Sequence, residues 1–128
     1  MKGLDTNVLV RYLTQDDPEQ SKTATRQIET DNESFFITST CLCELVWVLE
    51  TAYDYDRSTI SDTLRAILQT RQFAFDDKLS MEKALYDYQH SKGDFSDYVL
   101  GHRSRLAGCN KTLTFDRALK NHQLFQVL

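Results

Sequence analysis

Four separated carboxylates carry the chemistry that this chain can do. Asp5 lies in Gly3-Leu4-Asp5-Thr6-Asn7-Val8-Leu9, Glu44 in Cys43-Glu44-Leu45-Val46, Asp97 in Gly93-Asp94-Phe95-Ser96-Asp97, and Asp116 in Leu113-Thr114-Phe115-Asp116. Each follows or interrupts an apolar run. A carboxylate withdrawn from water is costly unless it is paired, hydrogen-bonded or bound to a cation. No Lys or Arg flanks Asp5, Glu44 or Asp97 closely enough to serve as a local partner. If the fold gathers these acids they repel one another, and a divalent cation is the simplest remedy. A ligand set made of oxygens selects a hard ion, Mg²⁺ or Mn²⁺.

Each acid also has a plain structural reading. Asp5, Asp94 and Asp116 precede helical stretches and suit helix N-caps. Asp97, three residues after Asp94, suits the return arm of a capping box. Glu44 is the hardest to dismiss, because its helix reads as apolar on nearly every side, with Trp47 and Val48 flanking the acid. A helix apolar all round is buried, so Glu44 is expected to be buried with a partner. What favours a site is the joint occurrence of these acids at strand ends and helix starts. Asp5 and Asp97 are the expected direct metal ligands. Glu44 and Asp116 are expected to hold the same ion or a second one. Thr6, Asn7, Ser39 and Thr114 stand beside the acids and suit an outer shell that orients carboxylates or holds metal-bound water. His90, His102 and His122 show no ligand spacing and read as surface or packing residues. There is no Gly-rich phosphate loop and no Ser or Cys nucleophile motif.

The elements that must position these residues follow from apolar patterning. Short apolar runs at 2–4, 35–38, 73–75, 113–115 and 125–127 read as buried strands. Helices are expected at 6–13, 18–29, 40–55, 58–68, 80–90 and 96–106. Asp17 as N-cap with Pro18 at the first helical position is a strong start signal. Leu42, Leu45, Val46 and Leu49 recur at i, i+3, i+4 and i+7, and Gly108 stops the last helix. Strands alternating with helices imply a parallel sheet wrapped on both faces. Ligands of such sheets bind beyond the carboxyl ends of the strands, where Asp5 and Asp116 are expected to meet.

The chain has 128 residues, which suits one domain over 1–128 that buries about two-thirds of its unfolded surface. Apolar residues are 41% and charged residues 27% of it, as in ordinary globular proteins. No apolar run approaches the roughly 18 residues of a membrane span. The N-terminus lacks a signal-peptide pattern because Asp5 interrupts it, so the expectation is a cytoplasmic protein with no membrane association. Cys41, Cys43 and Cys109 read as reduced thiols, since Cys41-Leu42-Cys43 is too tight for zinc spacing. The net charge of −4 disfavours tight non-specific nucleic-acid binding. Yet residues 92–120 hold Lys92, Arg103, Arg105, Lys111, Arg117 and Lys120, against only Asp94, Asp97 and Asp116. That leaves a basic segment beside the acids.

Four motifs in order carry a family resemblance. Leu4-Asp5-Thr6-Asn7-Val8-Leu9-Val10-Arg11-Tyr12-Leu13, continued by Thr14-Gln15-Asp16-Asp17-Pro18, resembles the opening of a PIN-domain protein of the VapC toxin type. Ser39-Thr40-Cys41-Leu42-Cys43-Glu44-Leu45 resembles the second acidic motif, Asp94-Phe95-Ser96-Asp97-Tyr98-Val99-Leu100 the third, and Thr114-Phe115-Asp116-Arg117 the fourth. One departure follows Asp97, where Tyr98, Val99 and Gly101-His102 replace the small apolar residues usual there. The resemblance implies an α/β three-layer sandwich with a central parallel sheet and an acidic Mg²⁺/Mn²⁺ pocket, in which Asp5, Glu44, Asp97 and Asp116 take the metal-site roles and Asp94 is a fifth, auxiliary acid. It implies an endoribonuclease, the toxin of a type II toxin–antitoxin pair, silenced by a cognate VapB-like antitoxin; single-stranded or looped RNA is the more readable target for sequence-selective cutting. The resemblance also implies a two-fold homodimer. The antitoxin is expected in an apolar groove lined by residues 8–13, 40–55 and 58–68. Two other readings compete. One is a non-catalytic PIN-like module that binds a protein partner. The other is a haloacid-dehalogenase-like phosphatase, whose Asp-x-Asp is broken here by Asn7.

Overall fold

Among the described residues no strand exceeds three residues, and every strand pair runs parallel. Parallel neighbours cannot be joined by a tight turn, so a helical crossover must return the chain each time. The computed structural model, which describes residues 1–30 and 32–128, has this alternation. The expected α/β class with parallel pairing therefore stands. The pairing falls into two sets, one of three strands and one of two, and the chain divides into two compact units, residues 1–78 and 79–128.

In the first unit, strand β1 (Lys2–Gly3) leads into α1 (Thr6–Thr14) and α2 (Pro18–Ile28). Strand β2 (Phe35–Ile37) then leads through α3 (Ser39–Thr51) and α4 (Arg57–Leu68) to β3 (Phe73–Phe75). The order is β1-β2-β3, with Lys2 opposite Phe35 and Phe36 opposite Ala74. Leu9, Ile28, Ile37, Leu42, Leu45, Leu49, Ile60 and Leu64 are fully buried and form the core.

Local chemistry sets the boundaries. Asp17 accepts the amides of Glu19 (3.1 Å) and Gln20 (3.0 Å), with Pro18 opening α2. Helix α3 stops short of the expected 55. Asp54 takes a left-handed backbone (φ 53°), and the Tyr55 amide turns back to the Leu49 carbonyl at 3.0 Å. Asp56 then caps α4 through the Thr59 amide at 2.8 Å. A competing cap four residues on thus ends a helix whose apolar pattern reads longer.

The second unit contains most of α5 (Lys78–His90), then α6 (Phe95–Leu106), β4 (Thr112–Thr114), a 3₁₀ turn at Arg117–Leu119 and β5 (Phe125–Val127). Gly108 sits just past α6 in the left-handed region (φ 104°), which glycine adopts without a Cβ clash. Tyr88, Phe95 and Tyr98 are fully buried. The Tyr98 hydroxyl accepts the Gly93 amide at 2.8 Å and so pins the turn that precedes α6.

Gly101 lies inside α6, where glycine is otherwise unfavourable. A Cβ there would stand 2.7 Å from Phe125 Cζ and 3.0 Å from its Cε2. The departure from small apolar residues after Asp97 thus has a packing cause, since Gly101 makes room for a buried aromatic ring. Gly101→Ala should lower stability by about 1–2 kcal/mol. Overpacking of about 1–3 kcal/mol outweighs the helix-propensity gain of up to about 1 kcal/mol. Urea unfolding of the two proteins measures this, and an unchanged or higher midpoint for Gly101→Ala would show that Phe125 is not confined.

Candidate active site

Asp5 lies two residues beyond β1 and caps α1, its Oδ1 accepting the Thr6 amide at 2.8 Å. Glu44 lies on α3, but not as expected. The side of that helix that bears Thr40, Glu44, Trp47 and Thr51 is exposed, and Trp47 is 66% accessible. The helix is not apolar all round, and Glu44 is not buried, because positions 40, 44, 47 and 51 fall on the turn opposite the leucine stripe.

These two acids nevertheless act on one neighbourhood. The buried Cys41 thiol is pushed up, first by burial, and Glu44 and Asp5 both add negative field, while a hydrogen bond with the Thr6 side chain opposes them. The Cys43 thiol is pushed up to about 11 by burial, then by Asp76 and Glu44. Asp76, just after β3, accepts both the amide (3.0 Å) and the hydroxyl (2.7 Å) of Ser39. Ser39 therefore orients an acid, although a different one from those it was expected to serve. The first unit thus places Asp5, Glu44 and Asp76 around the start of α3. Asp76 was missed in the sequence, although Phe73-Ala74-Phe75-Asp76 repeats the signal of an acid behind an apolar strand that singled out Asp5.

The second unit gathers the other acids. Asp94 is the N-cap residue of α6 but makes no side-chain capping bond. Asp97 instead reaches back to the Asp94 amide, which is half of a capping box. Its half-buried carboxyl is held above the usual carboxylate range, first by burial, then by the charges of Asp94 and Asp116 and a hydrogen bond shared with Asp116. Asp116 caps the 3₁₀ turn through the Ala118 amide at 2.9 Å, and its own amide donates to Thr114 Oγ1 at 3.0 Å. Thr114 thereby sets the Asp116 backbone. Asp97 and Asp116 thus each serve a cap, whereas Asp94 makes no capping bond with its side chain.

Beside this cluster a groove of about 440 Å³ is lined by Lys111, Arg117 and Lys120 together with the β5 strand. These are three of the six cations counted in residues 92–120. In the first unit, Asn7 with Val8 and Arg11 lines a groove of about 480 Å³ whose other wall is Glu19, Gln20, Thr23, Ala24 and Gln27 of α2. Leu9 and Val10 on the inner face of α1 are buried. His102 and His122 pack in the second unit, and both converge on Asp87, although no spacing rule links residues 87, 102 and 122. His90 does sit at the surface, stacked on Tyr86.

Residues 3–123 match the PIN domain family. A protein named VapC ribonuclease, from Aquifex aeolicus (strain VF5), is 27% identical over 125 residues, spanning 94% of this chain and 90% of that protein.

Proposed function

We propose, from the premise that this chain belongs to the PIN-domain family, that it is a divalent-metal-dependent endoribonuclease and the toxin of a toxin–antitoxin pair. The observation that carries this reading is Asp97, a half-buried carboxyl held above its usual range among Asp94 and Asp116. Acids crowded in this way gain most from a cation. The donors are all oxygens, which fits Mg²⁺ or Mn²⁺. Asp5, Glu44, Asp97 and Asp116 would hold the ion, Asp5 and Asp97 directly, with Asp94 auxiliary. When bound, such an ion lowers the pKa of a coordinated water and offsets charge building on the phosphate.

The chain's own residues do the positioning. The Asp94 amide fixes the Asp97 carboxylate, the Thr6 amide fixes Asp5, and Thr114 sets the backbone of Asp116. Lys111, Arg117 and Lys120 line a groove suited to the phosphates of an RNA strand. A VapB-like antitoxin is the expected partner, a homodimer the expected assembly and the cytoplasm the expected location. No helix among the described residues is long and apolar enough to cross a membrane.

The test uses purified protein and end-labelled RNA with Mg²⁺, Mn²⁺ or EDTA, and p-nitrophenyl phosphate in parallel. RNA cleavage with metal, none in EDTA and no phosphatase activity is the expected pattern. RNA left intact under every metal condition would rule out the nuclease reading, and phosphatase activity alone would move the protein to a different class.

A further inference from the structure

Three elements of the second unit bring donor atoms to one point. His102 Nε2 on α6 lies 2.5 Å from Asp87 Oδ2 on α5, and His122 Nε2, after the 3₁₀ turn, lies 3.1 Å from the same oxygen. All three side chains are nearly withdrawn from solvent, at 14%, 15% and 13% exposure for His102, Asp87 and His122. The imidazoles stand at 86° with centroids 6.2 Å apart, so they meet by their edges rather than stacking. Tyr98 and Phe125 wall the far side of His122, with ring centroids at 5.3 and 5.6 Å. One donor atom from each of the three residues lies within 4.8 Å of the others. Bonds of 2.0–2.2 Å to Zn²⁺ set tetrahedral ligand atoms about 3.3 Å apart.

We propose that Asp87, His102 and His122 form a transition-metal site of the Zn²⁺ class, with water as the fourth ligand. Two imidazoles and one carboxylate suit zinc and its neighbours rather than Mg²⁺, which prefers oxygen alone. The site shares no residue with Asp5, Glu44, Asp97 and Asp116, and it stands whether or not the chain cuts RNA. Its effect is to staple α5, α6 and the segment leading into β5, the unit that presents Asp94, Asp97 and Asp116.

The same geometry has a metal-free form, in which each Nε2–H donates to Asp87. In that form the Leu124 amide donates to His122 Nδ1 at 3.2 Å, which fixes the Nε2–H tautomer. Coordination through Nε2 moves the proton of a neutral imidazole to Nδ1. The Leu124 amide then loses its acceptor. Metal binding thus has a signature at a backbone group that touches no metal.

The experiment is a Co²⁺ titration of the EDTA-stripped full-length protein. One equivalent should give the visible absorption of four-coordinate Co²⁺, displaced by Zn²⁺ and untouched by Mg²⁺. His102→Gln and His122→Gln should each weaken it by more than roughly 100-fold, the upper range for outer-sphere losses, whereas Asp5→Asn should retain it. In wild-type protein, Zn²⁺ should shift the Leu124 amide resonance and convert His122 to the Nδ1–H tautomer. The wild-type spectra decide the matter even if a histidine variant fails to fold. No Co²⁺ band, a band that survives both histidine changes, or an unmoved Leu124 amide would each overturn the site and leave an Asp–His hydrogen-bond clip.

Discussion

Asp5→Asn is expected to abolish RNA cleavage while leaving stability within about 0.5 kcal/mol of the parent, since Asn and Asp cap helices about equally well. The Asp5 side chain accepts the Thr6 amide at 2.8 Å, and an asparagine carbonyl accepts the same bond. The exchange therefore retains the start of α1 and removes only the negative charge. A carboxylate that binds a cation directly should cost well beyond the roughly 10–100-fold typical of outer-shell partners. Cleavage at saturating Mn²⁺ and thermal melting of both proteins measure the two halves of the prediction. Expression without a partner adds a cellular reading, in which the parent arrests growth and Asp5→Asn does not. Equal cleavage by the two proteins would place the chemistry elsewhere. Equal growth at equal protein levels would favour a non-catalytic binding module.

Asp97→Asn should act in opposite directions on stability and on metal response. The Asp97 carboxyl is held above its ordinary value of 3.8 by burial first and by Asp94 and Asp116 next. Between the unfolded and folded pKa values the folded chain therefore binds more protons than the unfolded one. The stability this group contributes is complete below its unfolded pKa and declines as pH rises through the folded value. At pH 7 the ionised group opposes folding. Asparagine cannot ionise, and its amide can donate to Asp116. In EDTA at pH 7 the variant should melt a few degrees above the parent, and the gap should narrow as pH falls and close below the ordinary carboxylate value of 3.8. Added Mn²⁺ should raise the melting temperature of the parent and barely move that of the variant, which should also lose RNA cleavage by at least roughly 100-fold. A variant less stable than the parent in EDTA at pH 7 would mean that Asp97 serves chiefly as a helix cap.

Much of the architecture is written locally. Pro18 behind Asp17, the leucine stripe of α3, Gly108 behind α6 and five short apolar runs place each element within a few residues of its observed bounds. These signals act through backbone sterics, capping and amphipathic period, all of which operate over a few residues. Several of the acids are legible for the same reason, since a carboxylate lies directly behind β3 at Asp76 and two residues behind β1 and β4 at Asp5 and Asp116. The end of α3 was misjudged because its apolar pattern outlasts the helix, and the cap at Asp56 ended it sooner.

Sequence alone determined the α/β class and the element order, because each of these rests on a residue and its near neighbours. Only the tertiary structure decided which groups face one another. It exposed Glu44 while setting its charge against Cys41 and Cys43, and it joined Asp97 to Asp116 across 19 positions. It made Gly101 a seat for Phe125 and turned His102 and His122 onto Asp87. Long-range proximity depends on how helices roll on strands to bury their stripes, a collective packing outcome. No spacing between residues 87, 102 and 122 encodes that outcome.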